Sequence, residues 1–456
     1  MTSDNKVYDV LIVGAGPVGL ATAIALYTRG IKNILVIDQT RSFRQVGQIV
    51  DLLPNGFKSL KVIAEEAYQQ IKQTGLNFMQ LPKGGPNLWH YKNLQGETLR
   101  SIRLDFDHWY ERYGEGRISI SWYQLQTILR NLLPREMIEI NHRCVNFTQT
   151  TNSIVIDCLC DTESPANPFA HWEMTATTEV NPVAENLTHK QFEAKLVVAA
   201  DGINSTLRKL IYTNSDLEPW ANPQYSGFSA LGCLEIDNVS ADLIQQLESQ
   251  YWQGQRMVTI QADYKELDLV SLILVHRKEN SLGYLCHLSL DLELIENQSP
   301  PKTVRSVINI LKRHNFSPAL TEILELSNYE KLIRRPYYIH PANIPVSNPI
   351  WSQERLVLVG DAAHGMPPFT AQGANQGLED AALIGTILSK IIKNNDLDNL
   401  AAITQSFNQY EELRRPFMVK VQTGTMENHR WEKQKWESFL NEVYGRDIEE
   451  QLCQQK

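Results

Sequence analysis

The first 40 residues contain two short apolar runs with one Ala-rich helical stretch between them. Tyr8–Val13 is a short apolar run rich in β-branched residues, which predicts a buried parallel strand. The Ala-rich segment Leu20–Leu26 predicts a helix that ends near Gly30, and Ile34–Ile37 predicts a second strand. The order strand, helix, strand indicates a βαβ unit of a parallel sheet.

A glycine-rich turn joins the first predicted strand to the helix. Gly14 allows a tight bend, Gly16 allows backbone amides to approach a pyrophosphate, and Gly19 allows the helix to pack on the strand. The helix amino terminus then faces the phosphates with free N–H groups and the positive end of its dipole. Asp38 ends the second strand, where an acid about 20 residues after the turn accepts hydrogen bonds from ribose hydroxyls. The motif predicts a dinucleotide site and leaves NAD and FAD both open.

Two later strands also end in an acidic residue and a glycine. Lys195–Ala200 predicts a strand that ends at Asp201-Gly202. Arg355–Val359 predicts another, which ends at Gly360-Asp361 and leads through a glycine-rich loop into a helix that begins near Leu378. An aspartate at a strand end can bond a polyol such as a ribityl chain. Loop amides that end at a helix amino terminus can hold an electron-rich oxygen or a reduced ring.

Taken together, the three motifs resemble the single-component FAD-dependent aromatic hydroxylases typified by p-hydroxybenzoate hydroxylase, nearest to the salicylate hydroxylase, kynurenine monooxygenase and zeaxanthin epoxidase branch. The resemblance extends from Val7 to about Pro416. It implies an α/β fold: a Rossmann-like FAD-binding domain with an inserted β-sheet substrate domain and a helical C-terminus. It also implies an oxidoreductase that uses FAD, NAD(P)H as transient reductant, and O₂. Such an enzyme hydroxylates or epoxidises an aromatic or polyene small molecule through a flavin hydroperoxide.

The resemblance also implies roles for matched residues. Gly14, Gly16 and Gly19 would hold the FAD pyrophosphate, Asp38 the adenosine ribose, and Asp361 the ribityl or pyrophosphate region. The loop from Pro367 to Asn375 would pass beside the isoalloxazine, and Asp201-Gly202 is associated with both FAD and the nicotinamide. The complete set of implied FAD-contacting residues is Gly14, Gly16, Pro17, Val18, Gly19, Asp38, Gln39, Arg44, Gln126, Val145, Asp201, Gly202, Gly360, Asp361, Pro368, Ala371, Gln372, Gly373, Ala374 and Asn375.

The chain departs from the family pattern at two positions. Trp122 stands where the family usually has an arginine that touches FAD, and Asp38 stands where glutamate is commoner. Losing a charge-assisted contact costs about 1.5–3 kcal/mol, and Arg41 or Arg44 is the predicted compensation. If so, Arg41→Ala or Arg44→Ala releases FAD.

No catalytic acid or base is assigned. His364 is favoured as a structural residue that bonds backbone near the loop. Four residues on predicted substrate strands stay unassigned: Tyr225, Arg256, His276 and His287.

The predicted domains are interleaved along the chain. They are an FAD-binding domain in segments 1–74, 101–215 and 334–400, a substrate domain in segments 75–100 and 216–333, and C-terminal helices in 401–456. The supporting substrate strands are Gly227–Ile236, Arg256–Ala262, Leu269–His276 and Gly283–Leu290. Asp161–Gln191, rich in Asn, Thr and Pro, is predicted to be a long hairpin loop. The last helix, with Trp431, Trp436, Phe439 and Tyr444, is predicted to pack on the protein's own body rather than on a membrane.

Composition narrows the class of partner. The net charge of −9 and a pI near 5.7 disfavour nucleic acid, which requires a basic face. The amino terminus lacks the features of a signal peptide, and no segment has the ~18–20 continuous apolar residues of a membrane span. Six cysteines do not make a disulfide framework, and Cys158 with Cys160 lacks the second ligand pair of a metal site. A cytoplasmic protein without a metal is therefore expected, with an oligomeric state that the sequence does not predict.

Two other activities and one non-enzymatic function are the alternatives. A flavin-dependent halogenase would need a Trp-x-Trp-x-Ile element, and none of the nine tryptophans lies two positions from another. A prenyl-chain reductase of related fold remains an alternative, although Pro367-Pro368 favours the hydroxylases. The third alternative, a non-catalytic flavin-binding protein, is disfavoured by the intact stretch from Gly360 to Asp380.

Overall fold

The computed structural model describes residues 6–40, 48–78, 88–161, 187–262, 269–278, 280–346 and 349–453. The strands are β1 (Val7–Val13), β2 (Ile34–Ile37), β3 (Ile49–Leu52), β4 (Leu88–Lys92), β5 (Thr98–Arg103), β6 (Ile118–Ser121), β7 (Ile138–Glu139), β8 (Arg143–Gln149), β9 (Ile154–Asp161), β10 (Leu187–Ala199), β11 (Gln224–Ile236), β12 (Met257–Gln261), β13 (Val270–Lys278), β14 (Ser281–Ser289), β15 (Ile333–Ile339), β16 (Ser352–Gln353) and β17 (Leu356–Leu358). The helices are α1 (Pro17–Thr28), α2 (Pro54–Ile63), α3 (Glu65–Phe78), α4 (Phe106–Tyr113), α5 (Trp122–Asn131), α6 (Thr206–Tyr212), α7 (Ala241–Leu247), α8 (Leu292–Glu296), α9 (Pro300–Arg313), α10 (Pro318–Glu325), α11 (Asp361–His364), α12 (Gly373–Lys393), α13 (Leu400–Glu427), α14 (Lys433–Gly445) and α15 (Ile448–Cys453).

The first sheet has the strand order β16-β17-β10-β1-β2-β7, with β9 and β8 added beside β10. Strands β17, β10, β1, β2 and β7 run parallel, so that their carboxyl ends meet at one edge. The side chains of β1, β2, β17 and the last four residues of β10 are almost all buried, as expected for strands covered on both faces. In such open α/β sheets, ligands bind at the carboxyl ends of the strands.

Glycines let α1 approach the end of β1 closely. Gly14 has φ = 110°, and a Cβ there would lie 2.3 Å from the carbonyl oxygen of Ala200. A Cβ on Gly19 would lie 1.9 Å from the carbonyl oxygen of Gly14. These contacts agree with the tight-turn and helix-packing reasons predicted for the two residues.

The second sheet has the order β15-β11-β14-β13-β12-β4-β5 and its own apolar core. It contains strands at each of the four predicted substrate positions. Gly75 lies in α3, and Arg100 lies within β5. These two residues are the predicted ends of the first substrate segment, and both lie inside an element rather than between elements. The domain boundaries therefore stay a prediction.

Two element predictions need correction. Helix α12 begins at Gly373, five residues before the predicted Leu378. The predicted hairpin loop Asp161–Gln191 is shorter on the described residues, because Leu187–Gln191 belongs to β10 and Leu187 pairs with Asp161 across the hairpin. In both cases tertiary contacts extend an element into sequence of low propensity.

The C-terminal helices pack against the body of the protein, as predicted. The Tyr444 ring lies 5.2 Å from that of Trp109 and 5.4 Å from that of Tyr113, both on α4. Trp431 precedes α14 rather than belonging to it. Across the part of the chain that the structure describes, no helix combines the length and apolarity needed to cross a bilayer.

Candidate cofactor and substrate site

The three sequence motifs meet at the carboxyl edge of the first sheet. Strands β1, β10 and β17 are neighbours, and they place the glycine turn, Asp201-Gly202 and Gly360-Asp361 side by side. Contact between the first and third motifs is direct, because a Cβ on Gly360 would lie 3.2 Å from the Val18 side chain. The sequence placed each motif at the end of a strand, and parallel pairing of the three strands brings them together; their roles in cofactor binding remain predictions.

Asp38 and Gln126 hold the glycine turn from two sides. Asp38 Oδ2 accepts a hydrogen bond from the Ala15 N–H at 2.7 Å, and its Oδ1 accepts one from the Thr40 N–H at 2.7 Å. Gln126 Nε2 donates to the Ala15 carbonyl at 2.8 Å. Both backbone polar groups of Ala15 are therefore satisfied by side chains, which fixes the turn without a ligand.

The other residues predicted to contact the adenosine and pyrophosphate half of FAD lie in several different elements. Gln39 is exposed directly after Asp38, and Val145 is half-buried at a bulge of β8. Pro17 is the first residue of α1. Arg44 and Arg41 lie outside the described residues, so the predicted compensation for Trp122 stays a prediction.

One carboxylate oxygen of Asp201 is hydrogen-bonded within the protein, and the other is not. Oδ2 accepts from the N–H groups of Thr206 and Leu207 at 2.8 and 3.2 Å, at the start of α6. Oδ1 is buried and has no hydrogen-bond partner among the described residues. Gly202 beside it has φ = 78°, and a Cβ on this residue would meet no atom within 4 Å, so the backbone here borders open space. A buried acceptor beside open space is what a bound polar ligand would satisfy.

Asp361 is exposed at the start of α11, shortly after the end of β17. Its side chain is accessible to water, yet the surrounding protein raises its pKa by desolvation, an effect that the nearby charges of His364 and Arg208 oppose. Oδ1 points toward the amino terminus of α12, where a Cβ on Gly373 would lie 3.7 Å away. With the glycine turn and the free oxygen of Asp201, this carboxylate forms a polar cradle that fits the pyrophosphate and ribityl part of FAD.

The predicted flavin loop divides into two functional parts. The side chain of Asn375 is buried and committed to the protein, because it bonds Leu53 N, Asp51 O and Ala371 O. Gln372 is also buried, and its Oε1 accepts from Asn55, but its Nε2 has no hydrogen-bond partner among the described residues. A predicted side-chain contact with FAD therefore fits the Gln372 Nε2 donor better than the bonded atoms of either residue.

The groups of this loop that a ligand can reach are backbone N–H groups and the exposed ring of Pro368. Gly373 and Ala374 form the first turn of the 21-residue helix α12, whose N–H groups and dipole favour an electron-rich partner. Pro368 is exposed, and Ala371 adopts φ = 53°, which turns the chain into the helix.

A buried ionic network, which sequence reasoning missed, holds this loop in place. Asp380 accepts from Gly360 N at 2.8 Å, pairs with His364 Nε2 at 2.6 Å, and pairs with Arg414 Nε at 2.7 Å. Arg414 also contacts Glu379 at 2.6 Å, and all four side chains are essentially inaccessible to solvent. Burial favours the neutral carboxyl, but the charges of His364 and Arg414 prevail and lower the pKa of Asp380.

The network gives His364 a structural place, as predicted, although its partner is a carboxylate and not backbone. The available sequence signal was the pair of adjacent acids at the start of a buried helix and an arginine within an otherwise packed helix. Neither signal identifies its partner before the two helices are placed together.

A cavity of about 210 Å³ lies between the second sheet and the flavin loop. One face of β4, β5, β12, β13 and β14 forms its floor, and the loop with α14 covers it. Its walls combine aromatic rings with a few charged groups. The aromatic and charged lining residues are Trp89, Tyr91, Trp109, Phe369, Trp436, Tyr444, Asp51, Arg100, Arg117, His287 and His429.

Of the four unassigned candidates on the predicted substrate strands, His287 lines the cavity. Burial lowers the pKa of His287 to about 4, so the ring is neutral at pH 7. His276 instead stacks on Trp252 at 4.5 Å, the Tyr225 hydroxyl bonds the Leu290 carbonyl, and Arg256 is exposed. Proximity to the cavity thus separates His287 from the other three.

Comparison with known proteins agrees with this geometry. A family described as FAD binding domain matches residues 7–48 and 343–425. The chain is 24% identical over 425 residues to a 6-hydroxynicotinate 3-monooxygenase of Bordetella bronchiseptica, covering 92% of this chain and 91% of that enzyme. It is 26% identical over 436 residues to the hispidin-3-hydroxylase of Neonothopanus nambi, covering 91% and 87%. A salicylate hydroxylase in complex with its substrate superposes with a TM-score of 0.65 at 18% identity, covering 97% of both chains. The predicted fold class is confirmed.

Proposed function

The chain is a relative of the FAD-dependent monooxygenases of the hydroxylase type, and on this premise we propose that it inserts one oxygen atom into a small aromatic substrate. FAD is the cofactor, NAD(P)H the transient reductant and O₂ the oxidant. The balance is one substrate C–H, one NAD(P)H, one proton and one O₂ converted to C–OH, NAD(P)⁺ and water.

The observation that carries this proposal is the position of the loop Pro368–Ala371. On one side the loop leads into the polar cradle at Asp361, and on the other it forms a wall of the aromatic cavity. A flavin held by the cradle would therefore lie beside a ring held in the cavity. When bound and reduced, FAD supplies the activation of O₂ and the oxygen transfer, while the protein supplies position and shielding.

The chain's own residues orient the substrate and exclude water. Trp89 and Tyr91 stack with ring centroids 5.8 Å apart along the cavity floor, and Trp436 closes the opposite side. Shielding matters because water diverts the oxygen chemistry toward hydrogen peroxide. No side chain is assigned a proton transfer. Hydroxylation of a small ring is favoured over epoxidation of a polyene, because a cavity of about 210 Å³ is smaller than the ~300–1,000 Å³ of sites for larger ligands.

The test is oxygen-dependent turnover by the purified, FAD-loaded protein. We expect a visible flavin spectrum, oxidation of NADH or NADPH stimulated by a phenolic compound, and one atom of ¹⁸O from ¹⁸O₂ in the product. Flavin binding with pyridine nucleotide oxidation but no labelled product would favour another flavin oxidoreductase. A protein that never acquires a flavin spectrum would contradict the proposal.

Trp122→Arg is expected to tighten FAD binding about tenfold. Trp122 is the first residue of α5, and Gln126, one turn later on the same face, reaches the glycine turn. An arginine there gains a charge-assisted contact worth about 1.5–3 kcal/mol. Titration of the apoprotein with FAD, followed by flavin fluorescence, measures the change.

The matched control is Tyr123→Arg, which adds the same charge to the same helix end but about 100° around the helix axis. If both variants tighten FAD binding equally, the gain comes from overall charge rather than from position 122. Unchanged affinity in Trp122→Arg would refute the assignment of this position to the FAD site.

A further inference from the structure

Two buried cysteines face each other at the edge of the first sheet. Cys144 of β8 lies directly opposite Cys158 of β9 in the antiparallel register, and the side chains of both are buried. Among the described residues β8 pairs only with β9, so it is an edge strand. Both thiols are free, and the proposed oxygen insertion uses neither of them.

The strand register fits a disulfide between these two residues. Directly opposed residues of antiparallel strands have Cα atoms about 4.5–5.5 Å apart, within the ~4.4–6.8 Å that a disulfide spans. Cys233 of β11 and Cys286 of β14 are equally buried, but Cys286 is opposite Leu231, two residues away from Cys233. Such a diagonal pair is separated by about 7–8 Å, which a disulfide does not bridge without backbone movement. The second pair is therefore an internal control.

The closed hairpin protects both thiols. Desolvation raises the pKa of Cys144 and raises the pKa of Cys158 to about 12, so both are protonated at pH 7. The thiolate, and not the thiol, is the nucleophile. An edge strand opens locally at a lower free energy than the whole fold, and the bulge at Val145 further interrupts the pairing of β8. We expect oxidation to begin in this open form, at Cys144, which is 6% exposed against 0% for Cys158.

A disulfide at this position would shift the strand that borders the glycine turn. Opposed Cβ atoms lie about 4.5–5.5 Å apart in a sheet but about 3.8 Å apart in a disulfide, so the bond draws β8 toward β9 by about 1 Å. Two residues before Cys144, the His142 N–H donates to the Asp38 carbonyl at 2.8 Å, and the Asp38 carboxylate holds the glycine turn. Val145, a predicted FAD contact, directly follows Cys144. The contraction therefore disturbs the predicted adenosine site.

We propose that hydrogen peroxide converts Cys144 and Cys158 into a reversible disulfide, and that the oxidised protein binds FAD more weakly than the reduced one. This inference goes beyond the proposed function, which supplies a reason for it: a flavin monooxygenase whose turnover is uncoupled releases hydrogen peroxide. A protein that leaks peroxide would then lose affinity for the cofactor that produces it, which limits further leakage.

The oxidation balances with the two thiols and peroxide alone. The Cys144 thiolate attacks one peroxide oxygen, which forms an S–O bond, breaks the O–O bond and leaves a sulfenic acid and hydroxide. The Cys158 thiolate then attacks the sulfenic sulfur and displaces a second hydroxide. The protons that the two thiols lost convert both hydroxides to water. In sum, two thiols and one H₂O₂ give one disulfide and two waters.

Peptide mapping tests the bond. The purified full-length protein is treated with hydrogen peroxide in the presence and absence of FAD, and its thiols are then analysed by differential alkylation and mass spectrometry. We expect a disulfide between Cys144 and Cys158, while Cys233 and Cys286 stay reduced in the same samples. Cys160→Ser removes the only other cysteine of the hairpin and should leave the bond intact. Reduced Cys144 and Cys158 in both samples, or equal oxidation of the Cys233 and Cys286 pair, would overturn the inference.

The effect on the cofactor is measured by titration with FAD, followed by flavin fluorescence, before and after peroxide treatment. We expect the oxidised protein to bind FAD about tenfold more weakly, on the scale of one lost hydrogen bond. Dithiothreitol should restore the original affinity. Methionine sulfoxide, the other common product of peroxide, is not reduced by this thiol and would leave the loss in place.

Two variants assign the effect to the cysteine pair. Cys144→Ala and Cys158→Ala each remove one partner, and either variant alone suffices if the other does not fold. Each should bind FAD with one affinity before and after peroxide treatment. A disulfide without loss of FAD affinity, or a loss that persists in these variants or after dithiothreitol, would contradict the switch. Because the peroxide is added, none of these outcomes depends on whether the protein hydroxylates a substrate.

Discussion

Gly16→Ala is expected to fold normally and to bind FAD about 100-fold or more weakly. Gly16 is the N-cap of α1 with φ = −72° and ψ = 173°, a conformation that alanine adopts freely, and a Cβ at this position would have no atom within 4 Å. A methyl group there therefore meets nothing in the protein. It would occupy the space through which the FAD pyrophosphate approaches the turn. Losing two charge-assisted hydrogen bonds, at about 1.5–3 kcal/mol each, accounts for the expected magnitude.

The measurement is a titration of the apoprotein with FAD, beside a thermal melt of the same apoprotein. The melt should change little, since the N-cap preference of glycine over alanine amounts to about 1 kcal/mol. Gly445→Ala is the matched control, because Gly445 also has open space at its Cβ position but lies at the end of α14. Normal FAD affinity in Gly16→Ala would refute the placement of the pyrophosphate at this turn.

The glycine turn was predictable because its reasons are local. Gly19 is required by a distance within one strand–turn–helix unit, and Gly14 by its positive φ in the same turn, and the sequence gives these elements in order. Asp201 and Asp361 were predictable as strand-end residues, and parallel pairing then brings them to one edge. Arg44 follows no such rule and lies outside the described residues.

The cavity could not be assembled from the sequence because its walls come from distant segments. Trp89 and Tyr91 share a face with Arg100 only once β4 pairs with β5 in the observed register. Trp436 arrives from the C-terminal helix, which carried no sequence sign of a role in the site. The early start of α12 has the same kind of cause: glycine lowers helix propensity, but the buried hydrogen bonds of Gln372 and Asn375 fix the first turn.

The ionic network behind the flavin loop links stability to the cofactor site. Asp380 bonds the N–H of Gly360, the residue that precedes Asp361, while Glu379 on the same helix contacts Arg414 and Arg446. Arg414 thus connects α13 to the amino-terminal half of α12. Any change that frees Asp380 also loosens the strand end that presents Asp361.

Arg414→Met is expected to destabilise the protein by about 3–5 kcal/mol, or about 3–5 °C in melting temperature for a chain of 456 residues. The substitution preserves most of the side-chain volume but leaves two buried carboxylates short of a partner. Thermal and urea unfolding followed by circular dichroism measure the loss. Lys420→Met on the same helix is the control, because Lys420 and Glu442 pair at the surface with about half of each side chain exposed. Such a pair contributes about 0–1 kcal/mol.

The pH dependence identifies the carboxylate responsible. The native protein lowers the pKa of Asp380, so this group stabilises the fold above the ordinary aspartate pKa near 4, and the contribution disappears as the pH falls through the lowered value. In Arg414→Met the pKa of Asp380 rises, and protonation then relieves the unpaired charge. The difference in stability between the native protein and Arg414→Met should therefore be large at pH 7 and shrink below about pH 4. A difference that stays constant across this range would mean that lost packing, rather than the Asp380 charge, causes the destabilisation.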